Sequence, residues 1–179
     1  MVFKEKDRVE MNDPTALRKV GLLRNMKGDH KGAFEFWTKA AELGDLQAHY
    51  QLSNMYHNGD GVEKNQKKEV YHLEKAAIGG HPFARFNLGC IEGQNGRLER
   101  AIRHFIIAAT QGEDDSLTHL KALYQNQNGK VRKEDLVATL RAHQAAVDAT
   151  KSPDRDAAAA FSLLQVSVCP STKTVGGVK

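Results

Sequence analysis

One short motif recurs along the chain at nearly constant intervals, and this repetition restricts the fold more than any other feature of the sequence. The motif Lys-Ala-Ala-x-x-Gly at residues 39–44 returns at residues 75–80, which is 36 residues further on. Weaker copies follow at 108–112 and at 144–146. Self-similarity with a period of 32 to 37 residues is typical of stacked copies of one supersecondary unit, so the chain is predicted to be a repeat protein.

A second motif lies between the copies of the first and identifies the unit as helical. Ala48, Leu52 and Tyr56 stand four residues apart, which places them on one face of a helix. The alanines of the first motif allow a second helix to approach closely, and its final glycine suits the left-handed conformation found at helix C-termini. Each unit is therefore predicted to be two antiparallel helices joined by a turn. Further copies of the second motif are Ala84 with Leu88, Ser116 with Leu120 and Tyr124, and Ala16 with Val20.

The motifs and the turn-forming residues between them divide the chain into segments. One hairpin cannot bury its own apolar face, so the hairpins must stack and the ends of the array must be covered. The two helices of each hairpin are predicted at 14–26 and 30–43, 45–58 and 66–79, 82–92 and 97–111, and 114–126 and 132–148. The predicted segments are an N-terminal lead (1–11), a repeat array (12–149, in units 12–44, 45–80, 81–112 and 113–149), a capping helix (150–165) and a disordered tail (166–179). The sequence leaves open whether the lead is the last turn of a preceding helix in a longer protein.

The segment 48–80 resembles the Sel1-like repeat, a relative of the tetratricopeptide repeat. The family pattern is A-x-x-x-L-G-x-x-Y-x-x-G-x-G-V, then D, then K-A-x-x-W-x-x-K-A-A-x-x-G. The segment departs from this pattern at Ser53, Asn65, Glu69 and His72, where the family has Gly, Asp, Ala and an aromatic residue. It matches at Ala48, Leu52, Tyr56, Gly59, Gly61, Val62, Lys68, Lys75, Ala76, Ala77 and Gly80, and the resemblance extends over residues 12 to 146.

This resemblance implies both a fold and a function. The fold is all-α: a right-handed α–α superhelix (solenoid) of about four helix-turn-helix repeats plus a C-terminal capping helix. The implied function is that of a non-enzymatic scaffold or adaptor for protein–protein interaction, with other proteins or peptides as partners. Neither the partner nor the oligomeric state can be derived from the sequence.

The composition leaves two other classes of function open. A net charge of +4 and a pI of about 9.0 are the only signs of an RNA-binding helical repeat protein. Lys and Arg mostly alternate with Glu and Asp, as at Glu63 and Lys64, and this pattern favours a solvated helical surface over a nucleic-acid interface. The second alternative is an enzyme with a site in the groove of the solenoid, for which the sequence shows no catalytic constellation.

The residues that carry metal and catalytic chemistry are scattered. Eight histidines form neither His-Glu-x-x-His nor His-x-x-x-His, and two cysteines, Cys90 and Cys169, exclude a thiolate-only zinc site and a disulfide framework. His72 and His104 occupy the aromatic position of their repeats and are predicted to pack instead of binding metal. We therefore predict no catalytic residues, no cofactor and no metal. No apolar run has the length of a signal-peptide core or a membrane span, which predicts an intracellular, cytoplasmic protein.

The first helix of each hairpin is predicted to carry the partner-binding surface. In tetratricopeptide arrays these helices line the concave side, and the resemblance implies the same geometry here. The non-core faces of the four helices then form a groove with aromatic residues at its centre and polar residues at both ends, which suits peptide binding. For Phe83 and Phe86 the alternative is that they fill gaps between hairpins. The candidate partner-binding residues are Arg18, Asn25, Gln47, Tyr50, Asn54, His57, Phe83, Phe86, Asp115, Thr118 and Gln125.

Overall fold

The computed structural model describes residues 8–9, 11–126 and 131–150, and all regular secondary structure in these ranges is α-helical. Every helix boundary lies within two residues of the one predicted from the sequence. The helices are α1 (Pro14–Met26), α2 (His30–Glu42), α3 (Leu46–Asn58), α4 (Gln66–Ile78), α5 (Pro82–Gln94), α6 (Leu98–Thr110), α7 (Asp114–Asn126) and α8 (Lys133–Thr150).

Consecutive helices pair into four hairpins, and the hairpins stack in chain order. Helix α1 packs against α2, α3 against α4, α5 against α6, and α7 against α8. The second helix of each hairpin also packs against the first helix of the next, and α6 additionally contacts α8. The result is the predicted all-α solenoid of four hairpins. The predicted capping helix (beyond Thr150), the tail (166–179) and most of the lead (1–11) lie outside the described residues.

The first helix of every hairpin begins at a side chain that caps it. Asp13, Asp45, His81 and Glu113 occupy equivalent positions, and each accepts a hydrogen bond from the backbone N–H three residues later. Such a cap satisfies one of the backbone donors that a helix N-terminus leaves without a partner. Three of the four caps are acids, which the helix dipole favours at this end. The histidine of the third hairpin is the exception.

Close packing inside the hairpins depends on small residues that lie opposite large rings. A Cβ atom built on Gly21 would lie 2.5 Å from the indole ring of Trp37. Trp37 is 2% exposed, and its Nε1–H donates to the backbone oxygen of Arg18 at 3.1 Å. In the third hairpin Gly89 faces Phe105 in the same way, and a Cβ there would lie 2.6 Å from the ring. The glycines are therefore required for the approach of the two helices.

The second hairpin solves the same packing problem with different residues. Leu73 occupies the position equivalent to Trp37 and Phe105 and is fully buried. Ser53 stands where the first and third hairpins have Gly21 and Gly89. It is also buried, and its hydroxyl donates to the backbone oxygen of Tyr50 at 2.6 Å. A leucine is smaller than an aromatic ring, so this hairpin has room for a serine side chain.

Candidate functional site

An aromatic cluster lies where α3 meets the start of α5. The Tyr50 ring stacks on the imidazole of His81, with ring centroids 4.5 Å apart and an interplanar angle of 22°. Phe83 completes the cluster, 6.3 Å from Tyr50 and 6.1 Å from His81, and remains 51% exposed. Leu46 and Gln47 line the same cavity, whose volume is about 590 Å³. These five residues are called the aromatic recess below.

Two hydrogen bonds fix the His81 ring within the aromatic recess. Its Nδ1 accepts from the backbone N–H of Ala84 at 3.3 Å, so the ring proton sits on Nε2 and donates to Oε1 of Gln47 at 2.7 Å. Burial lowers the pKa of His81, which favours this neutral form near neutral pH. The ring against which Tyr50 stacks is therefore held from two sides.

Four of the predicted partner-binding residues lie along one continuous surface. Gln47 lines the aromatic recess and also a neighbouring cavity of about 240 Å³, which Arg18 lines as well. Nε of Arg18 donates to Oδ2 of Asp45 at 3.1 Å, which holds the guanidinium beside the start of α3. Arg18, Gln47, Tyr50 and Phe83 thus follow one another from α1 to α5. We call this surface the first-helix face.

Other predicted residues make contacts inside or between hairpins. Oδ1 of Asn25 lies 2.8 Å from Nδ1 of His30 at the turn of the first hairpin. Nδ1 of His57 lies 2.9 Å from Oε1 of Glu69 in its own hairpin. Phe86 is half-buried, with its ring centroid 5.8 Å from that of Phe105 in the core between the third and fourth hairpins. The structure therefore places Phe86 where the gap-filling alternative has it.

The remaining predicted residues have fewer contacts. Asn54 is half-buried on α3, whereas Asp115, Thr118 and Gln125 are exposed on α7. The Thr118 hydroxyl donates to the backbone oxygen of Asp114, which is a contact within its own helix. The polar end of the predicted groove is thus an open surface of α7.

Sequence reasoning missed His81, which turns out to link the cap of α5 to the aromatic recess. The signal was present in the repeat register, because His81 is equivalent to the capping residues Asp13, Asp45 and Glu113. The other three caps are acids, so a histidine at this position indicates that its side chain has a second role besides capping α5. Here it contributes a ring to the surface.

The described part of the chain contains neither a metal-binding cluster nor a membrane-spanning helix. Within it, no three His, Cys, Asp or Glu side chains come close enough together to hold a metal ion. None of its helices combines the length and apolar composition needed to cross a membrane. The cytoplasmic location inferred from the sequence stays a prediction.

Comparison with known families gives the repeat its name. The Sel1 repeat matches three consecutive segments, residues 16–45, 46–81 and 82–113, which together make up more than half of the chain. The chain belongs to the Sel1 repeat family. This confirms the resemblance drawn from residues 48–80, and each matched Sel1 repeat corresponds to one hairpin of the structure.

The relatives of this Sel1 repeat chain include regulatory and assembly factors. Over 105 residues it is 27% identical to chitin synthase regulatory factor 4 of Schizosaccharomyces pombe, a match that covers 58% of this chain and 16% of that protein. Over 50 residues it is 52% identical to the cytochrome c oxidase assembly factor 7 homolog of Drosophila melanogaster, which covers 28% and 18%. The chain thus spans less than a fifth of the length of these two relatives.

A solved structure shares the same fold. The crystal structure of a Sel1 repeat protein from Oxalobacter formigenes matches with a TM-score of 0.65 and 26% sequence identity. The match covers 79% of this chain and 62% of that one. It confirms the α-solenoid that the period of the sequence predicts.

The departures of the second Sel1 repeat from the family pattern are accounted for by local contacts. Glu69, in place of alanine, is 9% exposed and is held by His57. Asn65, in place of aspartate, still caps α4 by accepting from the Lys68 backbone N–H at 3.0 Å. His72, in place of an aromatic residue, stacks on Tyr56 with ring centroids 5.7 Å apart. The histidine thus keeps the packing role of the ring that it replaces.

Proposed function

We propose that this Sel1 repeat array is a non-enzymatic scaffold that binds a peptide or protein partner on its concave side, through the first-helix face. The observation that carries the proposal is the aromatic recess, where Phe83 is 51% exposed beside the stacked pair of Tyr50 and His81. An exposed aromatic side chain next to a cavity of about 590 Å³ provides room for one anchoring side chain of a partner.

The recess has the physical properties of an anchoring pocket. Aromatic side chains offer a large contact area with few rotatable bonds, so they lose little conformational entropy when a partner binds. His81 is already fixed by Ala84 and Gln47, and Tyr50 stacks on it, so these rings need little reordering. Gln47 and Arg18 along the same face add hydrogen-bonding groups around the apolar centre. The occurrence of Sel1 repeats in regulatory and assembly factors supports a role in protein interaction.

Replacing Tyr50 by alanine is expected to weaken partner binding by about tenfold or more, because truncation of a central aromatic anchor costs 2 kcal/mol or more at typical interfaces. The partner is first isolated by affinity purification on the intact chain and identified by mass spectrometry. Binding of the purified partner is then measured by isothermal titration calorimetry, and thermal unfolding of each variant is recorded in parallel.

Two further variants separate binding from stability. Tyr71→Ala removes an exposed tyrosine (52%) from the second helix α4, outside the first-helix face, so it should leave binding unchanged. His81→Asn keeps a side chain that can cap α5 but removes the ring under Tyr50, so it should weaken binding while α5 stays capped. Full affinity in Tyr50→Ala and His81→Asn, together with lost affinity in Tyr71→Ala, would place the binding surface on the second helices and refute the proposal.

A further inference from the structure

A second cavity lies between α4, α5 and the first half of α6. Its volume is about 590 Å³, and no residue of the aromatic recess lines it. Val70, Leu88 and Ile91 form an apolar wall, and Ile78, which is 78% exposed, extends this wall at the end of α4. We call it the lateral cavity. Its size falls within the range of cavities that bind small ligands or single side chains.

The charged groups of the lateral cavity differ in how well they are neutralised. Arg97 donates two hydrogen bonds to the carboxylate of Glu92, so these two charges are already paired. Lys67 and Glu74 are both exposed and carry opposite charges. Arg85 forms no ion pair with any residue in the described ranges, so it sets the net positive sign of the wall.

Two nitrogen atoms beside the lateral cavity lack the partners that buried polar atoms normally have. Nε of Arg85 and Nδ1 of His104 are both inaccessible to solvent, and neither has a hydrogen-bond partner among the described residues. Buried polar atoms without a hydrogen-bond partner are uncommon in folded proteins, because each loses its hydration and receives nothing in return. Both side chains line the same cavity. Burial and, to a lesser extent, the charge of Arg85 lower the pKa of His104, although the carboxylates of Glu92 and Glu74 oppose this shift. Neither nitrogen is therefore satisfied by the described residues.

We propose that the lateral cavity binds an aliphatic carboxylate, with its hydrocarbon part on Val70, Leu88 and Ile91 and its carboxylate between Arg85 and His104. Nε–H and one Nη–H of an arginine form a fork that matches the two oxygens of a carboxylate. Both nitrogens lie below the accessible surface, so binding requires the Arg85 and His104 side chains to turn towards the cavity. A neutral His104 that carries its proton on Nδ1 donates to the same carboxylate.

The chemistry of the site favours an anion with an apolar part over other simple ligands. Two carboxylates line the cavity: Glu92 is engaged by Arg97, and Glu74 is exposed, whereas the half-buried Arg85 would repel a cation. A purely apolar molecule would leave the unpartnered nitrogens of Arg85 and His104 as they are. A carboxylate on a short branched alkyl chain satisfies both parts of the cavity. Its source is either a free small acid or the end of a polypeptide chain, and the experiment below distinguishes them.

The test uses 4-methylpentanoate and its uncharged amide, 4-methylpentanamide, as matched probes on the full chain. Methyl signals of Ile78, Leu88 and Ile91 are followed by ¹³C NMR during titration, together with the Arg85 Nε–H and His104 ring signals. The acid is expected to saturate and the amide to bind about tenfold more weakly or not at all, because charge-assisted hydrogen bonds are much stronger than neutral ones. The nearby anionic charge should also raise the pKa of His104 towards its ordinary value.

Two variants and a third probe complete the test. Arg85→Gln should reduce the affinity for the acid to that for the amide, whereas Arg103→Gln, which removes a 73% exposed arginine of α6 outside the cavity, should change nothing. If N-acetylleucine binds more tightly than 4-methylpentanoate, the source of the carboxylate is a polypeptide end. If 4-methylpentanoate binds more tightly, the source is a free acid. Equal binding of acid and amide, or unchanged acid binding in a folded Arg85→Gln variant, overturns the proposal. Tyr50→Ala should leave the affinity of the lateral cavity for the acid unchanged, so this proposal and the proposed partner binding are tested independently.

Discussion

Gly89→Ala is expected to lower the free energy of unfolding by about 1–2 kcal/mol, although alanine is the better helix former. The added methyl group would lie 2.6 Å from the Phe105 ring, which is shorter than any van der Waals contact. Phe105 is 4% exposed and belongs to the core between the third and fourth hairpins, so its ring can move away only by disturbing its neighbours. The loss is measured by urea unfolding followed by circular dichroism.

Gly93→Ala is the matched control, because Gly93 belongs to the same helix α5. A Cβ built there would meet only the Ala101 methyl group, at 3.8 Å, which is an ordinary contact. This substitution should therefore stabilise the protein by about 0.5–1 kcal/mol, through the helix propensity of alanine and the reduced entropy of the unfolded chain. The two substitutions are chemically identical, so the sign of the difference reports the helix–helix contact alone. A Gly89→Ala variant as stable as Gly93→Ala would mean that α5 and α6 are further apart than described.

The backbone of this fold could be predicted from the sequence because every hairpin repeats the same local signals. Capping residues, alanine pairs and glycine ends recur with a fixed register, and each copy supports the assignment of the others. The predicted helix 14–26 matches α1 at both ends. At its N-terminus Asp13 caps the helix and Pro14 is its first residue. Such boundaries depend on interactions between near neighbours in the chain, which a sequence displays directly.

The candidate site was only partly predictable, because side chains at equivalent positions of different repeats do different things. Helical periodicity places Tyr50 and Phe83 on the same face, and they do lie together in the aromatic recess. The same periodicity also selects Phe86, whose ring instead packs against Phe105. Whether an aromatic residue faces solvent or the next hairpin depends on the offset between hairpins, and this offset is not contained in the spacing within one helix.

Contacts between residues on different helices could not be predicted from the sequence either. Glu69 departs from the family pattern and His57 looks like an exposed polar residue, and their contact explains both. The lateral cavity gives no sequence signal at all, because Arg85 and His104 lie 19 positions apart on different helices. A single sequence shows these residues one at a time, whereas their function depends on how the hairpins bring them together.

Acidification from pH 7.5 to pH 5 is expected to destabilise the folded array through its half-buried histidines. Burial lowers the pKa values of His49, His72, His81 and His104, and that of His72 falls to about 4. The same rings titrate near the ordinary value of 6.5 in the unfolded chain. The unfolded state therefore takes up more protons as the pH falls below 6.5, so the stability is fully present above that value and declines towards pH 4.

Between pH 6.5 and pH 5 the change in stability comes from the histidines and not from the carboxylates. Hydrogen bonds to Arg97 lower the pKa of Glu92, and similar contacts act on Asp13 and Asp135, so these groups lose their stabilising effect only at more acidic pH. The urea midpoint should therefore fall between pH 7.5 and pH 5. An unchanged midpoint over this interval would contradict the prediction.

His72→Phe tests which ring contributes most to this pH dependence. In addition to burial, the neighbouring His49 and Lys68 oppose a positive charge on His72, whose Nδ1 lies 2.9 Å from Nδ1 of His49. A phenylalanine can still stack on Tyr56 but cannot take up a proton in the unfolded chain. The variant should be somewhat less stable at pH 7.5, because His49 loses its hydrogen-bond partner, and its midpoint should fall less than that of the wild type by pH 5. The measured quantity is the difference between the urea midpoints at pH 7.5 and pH 5. A loss of stability that is equal at both pH values therefore does not change it. An equally steep decline in His72→Phe would assign the effect to the other buried histidines.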